Sequence, residues 1–314
     1  MGTTSIVTRI KKSGFLRQLD IQSMVLPGVL FMLIFNFLPM FGITIAFKNY
    51  SPIAGLAGFF DSNWVGLKNF HDFITDPKFL LVLRNTLGIN ILGLLITFPA
   101  PILFALLLNE LQSQKFKRFC QTVSYLPYFN SWIIFGGLMI SILSPETGVV
   151  NHVLMALGWV KEPIFFMGNP HLFWIIVVAV NTLKGLGYGA ILYLAAIAGV
   201  PSEMVEAAIV DGAGRFRRIW HVILPSIQGT IIILLLLNIS SMLSTGFDQI
   251  WVLQNNLNVS MSETIDTYVY KMGIKELLRF SYAAAVGVFQ SVVGTILLVG
   301  ANTLSRKLTD KGLF

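Results

Sequence analysis

Residues 201–225 read PSEMVEAAIVDGAGRFRRIWHVILP and lie between two long apolar runs, so this polar island must sit at a membrane surface. Ser202 has the chemistry of a helix N-cap, Glu203 and Glu206 suit the positive end of a helix, and Gly212 supplies a left-handed stop; residues 202–211 are therefore read as one short helix. A turn over Gly212, Ala213 and Gly214 follows. Beyond it, Phe216, Ile219, Trp220 and Ile223 fall at i, i+3, i+4 and i+7, giving a second helix one apolar stripe, with Arg215, Arg218 and His221 on the other face. Two small helices at an angle form a projecting knob, more than a plain connection between spans requires.

Composition agrees with a membrane setting. Of 314 residues, 55% are hydrophobic and 12% charged, and the mean hydropathy is +0.74. Soluble domains carry roughly a quarter charged residues, so a water-soluble globule is excluded. Six windows, 21–47, 85–109, 119–145, 171–202, 222–247 and 280–305, are each long enough to cross a bilayer, and Lys184 is the one charge inside them. Lipid satisfies no backbone hydrogen bond and no barrel alternation is present, so the spans are read as helices and the chain as one all-α, six-span membrane domain over 1–314. The basic, then apolar, amino terminus lacks a small-x-small cleavage site and its apolar run is long, so it is read as a retained span.

An even number of spans puts both termini on one side. The segments sharing the side of the 201–225 knob hold thirteen Lys and Arg against six acids; the other set holds eight against nine, in longer loops. Positive charge stays in the cytoplasm, so the knob and both termini are expected there. This distribution accounts for the net charge of +7 without nucleic acid. The single Cys120 excludes an intramolecular disulfide, and His71, His152, His171 and His221 lack ligand spacing, so no metal site is expected.

The 201–225 string resembles the EAA loop of binding-protein-dependent ABC importer permeases: Glu206, Ala207, Ala208, Gly212, Leu224 and Pro225 match the pattern, with Val222 where the family has Ile. Asp211-Gly212-Ala213 is the form common among carbohydrate importers. The opening LPGVLFMLIFNFLPMFGITIAFKNY (26–50) and WVGLKNF (64–70) look like the permease subfamily that imports large or acidic oligosaccharides. The resemblance implies a type I permease bundle working by alternating access, with a second, non-identical permease, two ATP-binding subunits and an extracytoplasmic solute-binding protein as partners. It also implies that ATP and Mg are used by those separate subunits, with no cofactor bound by this chain, and that Glu206, Ala207, Ala208, Asp211 and Gly212 couple to them. Glu206 is expected to pair with a basic residue of the ATPase, and Gly212 to set the angle through which closure moves the spans.

In the fourth window, Asn181, Lys184 and Tyr188 recur at i, i+3 and i+7, while Gly185 and Gly189 permit close helix contact. An intramembrane ammonium either faces a wet cavity or is paired structurally, with a carbonyl or a partner subunit; both readings stand at this stage. The family's substrate contacts come from the two helices flanking the loop, so Asn181, Lys184, Tyr188, Asn238 and Ser241 are assigned to the passage, with Lys184 favouring an anionic sugar. An ion-coupled carrier is the rival class, but paired intramembrane acids are missing. No phosphate loop and no nucleophile-base pair suggests an enzyme; Gly185, Gly187 and Gly189 lie inside a span.

Overall fold

The computed structural model describes residues 19–275 and 278–313; the four basic residues near the amino terminus lie outside the described residues. Regular structure among the described residues is helical, apart from one isolated antiparallel bridge between Lys48 and Trp64. The first span starts as α1 (Leu19–Met32) and continues through a π-turn at Leu33–Phe37 into a 3-10 stretch at Phe41–Phe47. Its irregularity follows from Pro39, which cannot donate to the preceding turn. Side chains from Ser23 to Phe41 are all exposed, and the span docks on the body of its own chain through its last residues, against the final helix and the helix at Lys68–Ile74.

Between the first two spans, Lys48 Nζ donates to the carbonyls of Phe59 (2.8 Å) and Phe60 (3.1 Å), and Trp64 stacks on Phe47. Ile53, Phe60, Trp64 and Leu67 remain exposed, suiting an interfacial belt. Helix α2 (Lys68–Ile74) instead caps the bundle, burying Phe73 against Phe79, Tyr282 and Phe289. The second span is α3 (Phe79–Ile96) continued by α4 (Pro99–Asn109), and so starts earlier than the apolar window.

The third expected span is a broken pair. Helices α5 (Gln114–Phe129) and α6 (Trp132–Ile142) are bent by 105°. Pro127 weakens the last turn of α5, Asn130 and Ser131 are extended, and Ser131 Oγ accepts from the Ile134 N–H to start α6. The fourth span contains α7 (Phe173–Ala198). After the loop helix α8 (Ser202–Val210) and the turn, α9 (Arg215–Arg218) runs through a π-turn at Ile219–Ile223 into α10 (Leu224–Ser240), the fifth span. Short helices α11 (Phe247–Leu253) and α12 (Ile265–Tyr270) fold back at the end opposite the loop, before α13 (Phe280–Thr309) makes the sixth span. Among the described residues, five continuous helices long and apolar enough to cross a membrane and one broken pair thus give the expected membrane bundle.

Three apolar clusters hold it. Near the loop, Ile102, Ala105 and Leu106 of α4 meet Ala190, Tyr193 and Ile197 of α7 with Ile223 and Ile227 of the fifth span. The other two lie toward the opposite end, one joining α6, α7 and α11, the other α2, α3, α12 and α13. Helix α7 contributes to the cluster near the loop and to that with α6 and α11, and its close approach to α5 depends on Gly187: a Cβ there would lie 2.4 Å from the Ser124 carbonyl oxygen. Gly189 meets Pro101, whereas Gly185, assigned the same role from the sequence, faces open space. Gly187→Ala must push two backbones apart, so it is expected to cost about 1–3 kcal/mol and lower the thermal midpoint in detergent. Gly185→Ala, measured alongside, should leave that midpoint in place.

Candidate functional site

The 201–225 loop is built as a helix, a left-handed turn and a span that begins at once. Helix α8 ends in a Schellman arrangement: the Gly212 N–H donates to Ile209 O (3.0 Å) and the Ala213 N–H to Ala208 O (2.8 Å). Gly212 has φ +76°, as the stop signal requires. Ser202 does not cap: Pro201 occupies the N-cap position and no side chain accepts there. The second small helix is also not separate, because α9 is the root of the fifth span; the projecting piece is α8 alone.

The expected apolar stripe divides for the same reason. Ile219 and Ile223 pack inward, while Phe216 and Trp220 stay exposed. Arg218, read onto the face opposite the apolar stripe, turns inward toward Glu110 at the end of α4. Of the residues assigned to coupling by resemblance, Glu206, Ala207, Asp211 and Gly212 are exposed and Ala208 is half-buried. Glu206 has no ion-pair partner among the described residues, so its carboxylate is presented outward.

The two helices joined by this loop also line a cleft of about 240 Å³. Asn181 and Tyr193 come from α7, Asn238 and Ser241 from α10 and the turn after it, and Asn90 and Thr97 from the second span. Thr97 Oγ1 and Thr182 Oγ1 share a hydrogen bond of 2.7 Å at its wall, and Asn90 donates to Met242 O (2.9 Å). The Asn181 side chain makes no hydrogen bond among the described residues, and Asn238 Nδ2 donates to Leu234 O, leaving the Asn238 side-chain amide oxygen without a partner among those residues. Such a set can donate to and accept from hydroxyl groups. Asn90 and Thr97 went unread in the sequence, although an amide and a hydroxyl at i and i+7 mark one face of an otherwise apolar span.

Asn181, Asn238 and Ser241 are thus brought together; Lys184 and Tyr188 are outside this cleft. Lys184 is 6% exposed and donates from Nζ to the carbonyls of Pro127 (2.9 Å), Tyr128 (3.1 Å) and Asn130 (2.5 Å) at the α5–α6 break. Rings of Trp132 and Phe135 lie 5.2 and 5.4 Å from the ammonium. Tyr188 stacks on Tyr128 with centroids 3.7 Å apart, and both rings are partly exposed at the break.

At the opposite end two carboxylates organise the loops. Asp266 accepts from the Thr245 N–H (2.8 Å), Ser244 Oγ (3.2 Å) and Gln290 Nε2 (3.0 Å), holding the turn after α10 to α13. Burial alone would raise the Asp76 carboxyl, but hydrogen bonds from Tyr268 Oη, the Lys78 N–H and Tyr282 Oη outweigh it and hold it below the ordinary carboxylate value. Tyr268 is pushed up to about 12, by burial first and then by that carboxylate.

A model of the family described as "Binding-protein-dependent transport system inner membrane component" matches residues 97–310. Protein LplB of Bacillus subtilis (strain 168) is 47% identical over 291 residues, 93% of this chain and 90% of that protein. The polygalacturonan/rhamnogalacturonan transport system permease protein YteP of the same organism is 43% identical over 291 residues, 93% and 89% of the two. Among solved structures, a chain of a bacterial ABC transporter involved in the import of the acidic polysaccharide alginate superimposes with a TM-score of 0.84 at 35% identity, covering 96% of this chain and 99% of that one. A second structure of the bacterial alginate transporter, in complex with alginate pentasaccharide-bound periplasmic protein, gives the same TM-score of 0.84 at 34% identity over 96% and 99% of the two chains.

Proposed function

This chain belongs to the family of binding-protein-dependent transport system inner membrane components, as a multi-pass permease subunit of an ABC importer for oligosaccharides, and from that premise we propose that its cargo is acidic and its cleft a coupled substrate passage. One observation carries the reading: two of the three spans that line the amide cleft are those that the α8 loop joins, so a force on the loop reaches the walls bearing Asn181 and Asn238. The passage runs past Asn181, Asn238 and Ser241, with Asn90 and Thr97 opposite them. Lys184 and Tyr188 act from the neighbouring break. Three carbonyls accept the lysine's hydrogen bonds but bring no net charge, so a full positive charge remains there to favour an anionic sugar.

The loop faces the cytoplasm together with both termini. Two separate ATP-binding subunits, which use ATP and Mg, receive α8 through Glu206, Ala207, Ala208, Asp211 and Gly212. This chain is a transport subunit without an ATPase site and binds no cofactor of its own. An extracytoplasmic solute-binding protein delivers the cargo on the opposite face. A second, non-identical permease completes the pathway, and the exposed length from Ser23 to Phe41 supports it: an apolar helix that its own bundle leaves uncovered has surface for a partner helix and lipid.

The cleft is tested by uptake and by substrate-stimulated ATP hydrolysis in the reconstituted complex. Asn181→Ala combined with Asn238→Ala removes two amides, each worth about 1–1.5 kcal/mol to a bound hydroxyl, so the apparent KM for the saccharide is expected to rise about tenfold or more. Unchanged kinetics for the double variant would place the passage elsewhere.

A further inference from the structure

The loop end carries an ion pair that the coupling scheme does not yet use. Glu110 closes α4, at the end of the second span, and Arg218 closes α9, at the root of the fifth. Arg218 Nη2 lies 3.7 Å from Glu110 Oε2, with side chains 18% and 20% exposed; Arg215 Nε lies 3.9 Å from the same oxygen but is 61% exposed. These separations are about 1 Å beyond a charge-assisted hydrogen bond, so the groups attract without bonding. Arg218 Nε is shielded from solvent and has no hydrogen-bond partner among the described residues. A half-sheltered guanidinium with an idle donor beside a carboxylate is under-satisfied, and a small approach would convert it to the two-pronged geometry that arginine favours.

The means of approach is next in the chain. Ile219–Ile223 is a π-turn, a helix irregularity that often marks functional sites. Its inward side chains, Ile219 and Ile223, lie in the apolar cluster shared with α4 and α7, a contact that can slide without leaving a polar group stranded. On the other side, Gly212 links α9 to the loop helix.

We propose that Glu110 and Arg218 are positioning residues for the transport cycle: the pair is loose in the arrangement seen here and closes into a bidentate bridge when the loop helix is pushed, so that the second span moves with the fifth. This rests on the reading of α8 as the coupling element. The bridge gives that motion a second lever. Without it, the loop drives only the helices it directly joins; with it, the wall bearing Asn90 and Thr97 follows.

The test uses the assembled, reconstituted importer and reads saccharide moved per ATP hydrolysed. Glu110→Gln and Arg218→Gln are each expected to lower that ratio about tenfold, and the exchange Glu110→Arg with Arg218→Glu to recover at least half of it. Arg218→Lys keeps the charge but not the fork and is expected to fall with the glutamine variants, which keeps the test open if those assemble poorly. A normal ratio in the single variants, an exchange no better than either, or full function in Arg218→Lys overturns the bridge. Glu206→Ala is run in parallel. If it lowers the ratio while the Glu110 and Arg218 variants do not, the bridge alone falls; if it too is without effect, the coupling reading of α8 falls with it.

Discussion

Lys184→Met is expected to lower uptake of an acidic oligosaccharide by about a hundredfold, an effect of about 3 kcal/mol. At the helix break between α5 and α6 the carbonyls of Pro127, Tyr128 and Asn130 all accept from one ammonium, and Pro127 O also accepts the Asn130 N–H at 3.3 Å. A buried acceptor stripped of its donor costs about 1–3 kcal/mol, so methionine leaves a deficit that only a rearranged break relieves. Tyr128 then loses its register on Tyr188, and the positive charge near the passage disappears at the same time. Lys184→Gln separates the two effects because it keeps a donor without the charge. Its thermal midpoint should lie above that of the methionine variant, with uptake of a neutral oligosaccharide less affected than that of an acidic one. Unchanged uptake of the natural substrate by Lys184→Met would remove both roles.

Substitutions in the loop should act on coupling and spare the fold. Glu206 is exposed and unpaired within the chain, so Glu206→Ala is expected to leave the thermal midpoint of the isolated subunit unmoved. On the proposed coupling the carboxylate meets a basic group of the ATPase, and removing one partner of such a desolvated pair costs about 2–5 kcal/mol, a loss of thirtyfold or more in coupled uptake. Gly212→Pro is more severe. Its φ of +76° is closed to proline, which holds φ near −65°, and the Gly212 N–H that ends α8 on Ile209 O is lost as well. The angle between α8 and α9 then changes, and uptake and ATPase stimulation are expected to fall together, by about a hundredfold or more, as for other failures to assemble a required geometry. Intact assembly, stimulation and uptake in both variants would contradict the coupling role.

What the sequence revealed and what it hid divide along a physical line. Features set by a few adjacent residues were legible: the apolar runs, the left-handed stop at Gly212, and the helix read over 202–211, which the structure forms over 202–210. Features set by distant partners were not. The window 119–145 was read as one span, but it is broken after Pro127, and the 105° bend is held by a lysine 54 positions or more along the chain. The second loop helix was read as separate because its charges suggested a surface; the structure continues it into the span, since Ile219 and Ile223 have an apolar seat waiting between α4 and α7. Arg218 was read only onto the face opposite the apolar stripe, for want of any sign that Glu110 would stand beside it. In the cleft, Asn181, Asn238 and Ser241 were found because they flank the loop, whereas Asn90 and Thr97 belong to a span that the loop does not touch in sequence.

The account turns on which face of the membrane the loop occupies, because a nucleotide-driven partner can push on α8 only from the cytoplasm. Arg217 is exposed and suits a probe, so the direct measurement is labelling of Arg217→Cys, in a Cys120→Ser background, by a membrane-impermeant thiol reagent. The expected result is no labelling in intact cells and full labelling once the membrane is opened. Labelling in intact cells, equal to that after permeabilisation, would put the loop outside and leave the ATP-binding subunits nothing to move.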